Sequence, residues 1–165
     1  NIPKSRIYGF EGQLLVAPVN GLTLSAAASY LKTEVREFTG FNLSGLNQDF
    51  AGGRLPFTPT WSAIADADYQ WALNSSLSAF VGGTLTYSSS TNASIGYPDR
   101  YTIPSYTTVD LRVGVKSPDD TWRFSLWGRN ITNDYYWTNV VKLNDSIVKY
   151  AAMPITYGAS FNYKF

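Results

Sequence analysis

The stretch MPITYGASFNYKF, residues 153–165, decides the fold class of this chain. Its odd-numbered positions are all apolar or aromatic: Met153, Ile155, Tyr157, Ala159, Phe161, Tyr163 and Phe165. From Thr156 onward its even-numbered positions are all small or polar: Thr156, Gly158, Ser160, Asn162 and Lys164. Because successive side chains of a β-strand point to opposite faces, this pattern predicts a strand with one apolar and one polar face.

The composition excludes several classes of function. The chain has no cysteine and no histidine, so disulfides, thiolate chemistry, histidine-assisted nucleophilic catalysis and most zinc sites are excluded. The formal net charge is +1 and no basic cluster is present, which argues against nucleic acid as a partner. We therefore expect neither an enzyme nor a bound cofactor or metal.

The hydropathy pattern is compatible with a membrane barrel. Mean hydropathy is −0.15, and no run approaches the roughly 18 apolar residues of a membrane helix. A barrel strand turns only half of its residues to lipid, so its hydropathy averages to neutral. Asn1-Ile2-Pro3-Lys4 leads directly into a strand-like pattern with no signal peptide before it. We therefore expect the chain to begin inside a larger protein.

Alternation with a period of two predicts seven strands. They cover about residues 5–17, 22–38, 58–72, 77–88, 107–116, 122–129 and 153–165. The pattern blurs beyond Asn130 and resumes over residues 136–142, with Asn144-Asp145 as a hairpin tip before the final strand. Ile64 and Phe80 are apolar residues on otherwise polar faces.

The predicted connections alternate between short and long. Short turns at residues 18–21, 73–75 and 117–120 alternate with long loops at residues 40–53, at residues 90–104 and after Asn130. Outer-membrane barrels have short periplasmic turns and long extracellular loops. Trp61 and Trp71 share one face roughly 33 Å apart along the strand, and a tilt of about 40° brings this close to the ~25 Å apolar band of such barrels. A soluble barrel or sandwich also fits the alternation, but the difference in loop length favours the membrane barrel.

Five motifs carry a family resemblance over most of the chain. They are SRIYGFEG at 5–12, RLPFTPTW at 54–61, RYTIPSY at 100–106, GRNITNDYY at 128–136 and YGASFNYKF at 157–165. In this order they resemble strand motifs of TonB-dependent outer-membrane receptors. Ser160 stands where the closing motif of the family often has glycine.

The resemblance implies an all-β fold in which residues 1–165 are the C-terminal part of an outer-membrane barrel of about 22 strands. It implies that the plug domain and the N-terminal strands lie outside this chain, and that TonB acts through the plug. It further implies outer-membrane lipid and lipopolysaccharide as surroundings. Phe161, Tyr163 and Phe165 would form the signal read by the barrel-assembly machinery.

The number of strands predicts open edges. Seven is odd, whereas single-chain bacterial barrels have an even number of strands. Unpaired backbone groups cannot face lipid, so we expect these strands to belong to a larger barrel and to aggregate or pair edge to edge when isolated.

The long loops contain the candidate ligand-binding residues. Tyr97, Arg100 and Tyr101 cluster in the second long loop, and Tyr135, Tyr136 and Trp137 follow the sixth strand. Aromatic and arginine side chains suit a bulky anionic or aromatic ligand such as a ferric chelate. The alternative is an interfacial aromatic girdle, with Arg100 facing lipopolysaccharide.

The charged side chains in the middle of strands are interpreted as structural and not as a catalytic or cation-binding site. Asp66 and Asp68 point to the same face, and paired carboxylates can perform acid–base chemistry or bind cations. We expect instead a lumen wall on which they are balanced by arginine: Arg112, Arg123 or Arg129. Asp110 with Arg112 predicts a similar ladder of charges inside the barrel.

Three functions follow from these patterns. The first is part of an active transporter that takes up a scarce, bulky nutrient across the bacterial outer membrane. The second is a small autonomous barrel with a structural or adhesive role. The third, an outer-membrane enzyme, is disfavoured because no catalytic motif is present.

Overall fold

A computed structural model of the protein describes residues 2, 4–96 and 99–165. These residues form thirteen strands and no helix. The strands are β1 Lys4–Val19, β2 Leu22–Glu37, β3 Thr39–Phe41, β4 Asn47–Asp49, β5 Trp61–Asn74, β6 Leu77–Ser88, β7 Thr91–Asn92, β8 Thr102–Ile103, β9 Tyr106–Lys116, β10 Trp122–Arg129, β11 Trp137–Leu143, β12 Ser146–Ala151 and β13 Thr156–Tyr163.

Seven of the described strands form one antiparallel sheet in the order β1-β2-β5-β6-β9-β10-β13. Each of these strands pairs with the next one along the chain that belongs to the sheet, so the sheet is a simple meander. The seven predicted strands are confirmed, and most of their boundaries agree within one or two residues. The last strand is shorter than predicted, because β13 begins at Thr156 and the residues before it belong to the preceding loop.

The two faces of the sheet differ in polarity, as the alternation predicts. The row Leu14, Ala26, Ala65, Leu85 and Val109 runs straight across five strands on the apolar face. Leu14 in this row is 61% exposed. Among the described residues, this row therefore covers no protein core, which is the arrangement of a barrel wall that faces lipid.

Aromatic side chains lie near both ends of the apolar face. Phe10, Tyr30 and Trp61 contact one another at the long-loop end, with ring centroids 4.9 to 5.9 Å apart. Tyr69 stacks on Trp71 at 5.4 Å near the short-turn end. This distribution is that of the aromatic girdles at the two interfaces of a membrane.

The long connections contain structure that the sequence did not predict. Three small hairpins, β3–β4, β7–β8 and β11–β12, lie outside the main sheet. The predicted hairpin tip before the final strand is confirmed, but the strand that directly follows the tip was not predicted. The tip at Asn144-Asp145 is present, but it joins β11 to β12, and β13 follows later. The two strands of this hairpin pair with each other through backbone hydrogen bonds. The hairpin therefore does not need to pair with the seven-stranded sheet, which we call the wall.

The described part of the sheet is open. β1 pairs only with β2, and β13 pairs only with β10. Within the described residues, no helix is long and apolar enough to cross a membrane.

Candidate functional site

The polar face of the sheet carries one connected cluster of charges. The Arg112 guanidinium donates hydrogen bonds to both carboxylate oxygens of Asp66, each at 2.9 Å, and to Asp68 Oδ2 at 3.1 and 3.2 Å. Thr84 donates to Asp66 at 2.6 Å. Gln70 donates to Asp68 Oδ1 at 3.0 Å, so each oxygen of the two carboxylates accepts a hydrogen bond from a neighbour on the same wall. The prediction of a structural charge balance is confirmed, and Arg112 is the arginine that supplies it.

The other two predicted arginines have different partners. The guanidinium of Arg123 lies 3.7 Å from the centroid of the Phe80 ring, and that of Arg129 lies 5.2 Å from the Trp127 ring. Neither forms an ion pair with Asp66 or Asp68 among the described residues. Of the three arginines predicted as alternatives, these two therefore do not balance the aspartates, because each lies at a different level of the wall and stacks on an aromatic ring.

Phe80 breaks the alternation of polarity in sequence, and the structure explains why. It is fully buried on the polar face, between Arg123 and the backbone of Gly114. A Cβ atom at position 114 would lie 2.5 Å from Phe80 Cζ. The side chain can lie flat on the sheet only because its direct cross-strand partner is glycine.

The same pairing recurs at two further large side chains of this face, Arg112 and Trp127. Gly82 stands opposite Arg112, and a Cβ there would lie 2.7 Å from the guanidinium. Gly158 stands opposite Trp127, and a Cβ there would lie 2.5 Å from its ring. These bulky groups therefore lie along the wall, and the space in front of the polar face stays open.

Asp110 does not extend the charge cluster. Its carboxylate accepts a hydrogen bond from the backbone N–H of Asn130 at 2.9 Å, and it forms no ion pair with Arg112 among the described residues. The predicted ladder of Asp110 and Arg112 is therefore wrong. Asp110 instead fixes the turn at which β10 ends.

Asn130 is the hub of that turn. It is 5% exposed and has a φ of 48°. Its side-chain amide donates to the carbonyl oxygens of Asp134 and Met153 at 3.0 and 3.2 Å, and its side-chain oxygen accepts the Asp134 N–H at 2.9 Å. Asp134 in turn accepts the N–H of Thr107 at 2.9 Å. The motif GRNITNDYY thus joins β9, β10 and the segment before β13.

The long connections pack into a single structure that we call the loop cap, formed by the described residues of 38–60, 89–105 and 130–155. Tyr101, Ile103 and Val140 are buried together in it. The Trp137 indole N–H donates to the Thr102 carbonyl at 3.2 Å, and the Phe57 N–H donates to the Asn92 carbonyl at 2.8 Å. These contacts join all three loops, since Lys142 also donates to the Leu43 carbonyl at 2.7 Å.

The predicted ligand-binding residues lie in different environments within the loop cap. Arg100 is exposed, and Trp137 is half-buried with Lys149 Nζ 4.3 Å from its ring centroid. Tyr101 is 4% exposed and belongs to the buried core of the cap. Tyr97 lies outside the described residues. Their role in binding stays a prediction, and only Arg100 and Trp137 of the described three present surface to a ligand.

The neighbours of Trp137 complete this surface. Tyr135 is 72% exposed and contacts the Trp137 ring edge-on at 5.5 Å. Tyr136 instead stacks on Tyr106 with ring centroids 3.8 Å apart, and burial raises the pKa of its phenol. Tyr136 is therefore a link between the cap and β9, whereas Tyr135 is available to a partner.

A groove of about 800 Å³ opens on the polar face near the long-loop end. Its polar-face lining includes Glu11, Gln13, Ile64, Thr86 and Tyr106. Ile64 breaks the alternation in sequence, and here it forms part of the groove floor. No local sequence pattern predicts this groove, because its lining comes from five strands far apart in the chain. Across the described ranges, no group of three acidic side chains is placed to hold a metal ion.

The three residues predicted as an assembly signal lie together at the end of the chain. Phe161 stacks on Trp122 at 6.5 Å, and Tyr163 contacts Phe165 edge-on at 5.7 Å. All three are exposed, and β13 is an edge strand of the described sheet. Their recognition by the assembly machinery remains a prediction.

A family model described as "TonB dependent receptor-like, beta-barrel" matches residues 1–131. The chain belongs to this family of TonB-dependent receptors. The family consists of receptors and transporters rather than enzymes, and its barrels are outer-membrane proteins. No curated protein sequence matches the chain significantly.

Solved structures share the fold of this TonB-dependent receptor barrel. The ferric yersiniabactin uptake receptor FyuA from Yersinia pestis matches with a TM-score of 0.79 and 17% identity, over 98% of this chain and 24% of that one. The siderophore receptor PiuA from Acinetobacter baumannii matches with a TM-score of 0.76 and 22% identity, over 98% and 22%. BauA, the ferric preacinetobactin receptor from the same organism, matches with a TM-score of 0.70 and 20% identity, over 98% and 22%. The chain therefore spans about a quarter of the length of the receptors it resembles.

Proposed function

We propose that this chain is the C-terminal part of the barrel of a TonB-dependent outer-membrane transporter, with the plug domain and the N-terminal strands outside it. The observation that carries the proposal is the sheet formed by the described residues, with seven strands, two unpaired edges, an exposed apolar face and loops gathered at one end. The transporter would take up a bulky, scarce nutrient such as a ferric siderophore. The ligands named for the three similar receptors support this class.

Transport is tested by deleting the gene and measuring uptake of radiolabelled ferric chelates by iron-starved cells. We expect uptake of at least one chelate to be lost, and to return when the gene is restored. Deletion of tonB should abolish the same uptake, because energy would reach the barrel through TonB. Unchanged uptake of every chelate in the deletion strain would contradict the proposed substrate class.

The alternative, a small autonomous barrel, predicts a smaller gene product than the transporter does. In that case β1 and β13 would have to close on each other, although the described sheet leaves both open. An antibody against residues 157–165 on outer-membrane fractions separates the two. A band several times larger than 18.3 kDa supports the transporter, and a band at that mass supports the small barrel.

Within the proposed transporter, Arg100 and Trp137 would contact the ligand from the loop cap. An exposed arginine and an indole face suit an anionic, aromatic chelate. We expect Arg100→Ala and Trp137→Ala each to raise the Kd of the transported chelate about tenfold. Arg36→Ala is the matched control, since Arg36 is exposed and bonds Glu34 outside the cap. An equal effect of the control would contradict specific contact.

The assembly role of the last strand is a separate proposal. Phe161, Tyr163 and Phe165 would be read by the barrel-assembly machinery before the barrel meets lipid and lipopolysaccharide. We expect deletion of Phe165 to lower the amount of folded protein in the outer membrane several-fold, measured by heat-modifiable gel mobility. Lys164→Gln, which keeps the aromatic residues, should leave that amount unchanged.

A further inference from the structure

The apolar face carries a group of cations just beyond its aromatic residues. Tyr8 lies two residues before Phe10 on β1, and it pairs in register with Lys32 on β2. The guanidinium of Arg6 and the ammonium of Lys32 lie 5.8 and 5.9 Å from the centroid of the Tyr8 ring. Two cations thus flank one aromatic ring on the side of the wall that faces lipid.

These two cations have no carboxylate partner among the described residues. Four cations and two carboxylates lie at this end of the β1–β2 hairpin, giving a net charge of 4 − 2 = +2. Lys4 bonds Glu37 at 2.8 Å, and Arg36 bonds Glu34 at 3.3 Å. Glu34 stands opposite Arg6 in the register, but its ion pair is with Arg36. The excess charge therefore resides on Arg6 and Lys32.

The level of this pair relative to the membrane follows from the aromatic row. Phe10, Tyr30 and Trp61 mark the boundary of the apolar band at the long-loop end. Arg6 is four residues beyond Phe10, about 13 Å further along the strand. Aromatic residues lie at the interface, and cations beyond them reach the level of lipid headgroups.

We propose that Arg6, Tyr8 and Lys32 form a binding site for the phosphate group of an anionic lipid in the outer leaflet. The two cations would bind the phosphate, Tyr8 would hold them side by side, and the aromatic row below would contact the acyl chains. Basic side chains beside a membrane span attract anionic headgroups in this way. The inference rests on the proposed function in one respect, that the long-loop end faces the cell exterior.

The experiment uses the full-length protein in nanodiscs that contain phosphorylated lipid A or its dephosphorylated form. Native mass spectrometry counts the lipid molecules retained by the protein. We expect selective retention of the phosphorylated form, and a loss of roughly thirtyfold in its apparent affinity in the Arg6→Gln/Lys32→Gln variant, about fivefold for each cation. Inorganic phosphate in millimolar excess should not displace the lipid, because the acyl chains contribute to binding.

The matched control is Lys142→Gln/Lys149→Gln, which removes the same charge from the loop cap. It should retain the phosphorylated lipid. Equal loss in both variants, or equal retention of the two lipid forms by the unaltered protein, would overturn the proposal. Tyr8→Leu is a second variant, expected to lose affinity partly, in case the double variant fails to fold. Lipid retention is measured without transport, so failed uptake would refute the transporter without affecting this result.

Discussion

The wall and the loop cap of this protein place their apolar side chains in opposite ways. On the wall, Leu14 and Phe10 are more than 60% exposed on a face that belongs in lipid. In the cap, Tyr101, Ile103 and Val140 are buried against one another, as in a soluble domain. The reason is the solvent on each side: lipid solvates apolar side chains, whereas a loop in water must bury them. Hydrogen bonds and ion pairs stabilise the wall, and a small hydrophobic core stabilises the cap.

The largest expected effect concerns the glycines that let large side chains lie flat on the wall. Gly114→Ala places a methyl group against Phe80 and the Phe124 carbonyl, and it should lower the free energy of unfolding by about 3 kcal/mol. Gly12→Ala is the control, because no described atom outside residues 11–13 lies within 4 Å of the place its methyl group would take. Urea unfolding of the full-length protein in detergent measures both. Equal urea midpoints for the two variants would show that the wall accommodates a methyl group at position 114 without loss of stability.

A smaller loss is expected when the charge cluster of the wall is broken. Arg112→Met leaves Asp66 and Asp68 side by side without their cation, at a cost of about 2 kcal/mol in unfolding free energy. Arg36→Met removes an exposed ion pair with Glu34 and should cost less than about 0.5 kcal/mol. The same unfolding assay compares the two. If Arg36→Met lowered the free energy of unfolding as much as Arg112→Met, the loss of a positive charge anywhere on the sheet would explain the effect, and the cluster would not.

The junction between wall and cap is tested at Asn130. Asn130→Asp keeps the oxygen that accepts the Asp134 N–H but removes the two hydrogen bonds donated by the amide. The loss should be about 1–2 kcal/mol, confined to residues 130–155. Hydrogen exchange should therefore rise in β11 and β12 and stay unchanged in β5 and β6. Faster exchange throughout the sheet would mean that wall and cap unfold as one unit.

The smallest expected effect lies in the short turn between β9 and β10. Hydrogen bonds from Ser117 and Thr121 lower the pKa of Asp119 from 3.8 to about 2. The carboxylate therefore stabilises the turn above pH 3.8, and this contribution is lost as the pH falls towards 2. The amide resonance of Thr121 should titrate with this low midpoint in NMR spectra. Asp119→Asn should abolish the titration, and a midpoint near the ordinary aspartate value of about 4 would contradict the assigned bonds.

The wall is far more predictable from the amino-acid sequence than the loop cap. In the wall, the alternation of apolar and polar residues from Trp61 to Trp71 is a local pattern that repeats every two residues. It can therefore be recognised without knowing how the strand pairs with its neighbours. In the cap, Tyr101 is of a residue type and in a loop that suggest ligand binding, but its side chain lies in a buried core. Its burial depends on Ile103 and on Val140, which is 39 residues further along the chain than Tyr101. No local pattern contains that information.

The sequence by itself determined the seven strands, their two faces, the order of short and long connections and the family. These depend on the period of the backbone and on the polarity of each residue. Only the tertiary structure decided which arginine balances Asp66 and Asp68, why Phe80 lies on a polar face, and how Asn130 joins cap to wall. Each of these depends on strand register, which brings Arg112 beside Asp66 and Gly114 beneath Phe80 across gaps of more than thirty residues.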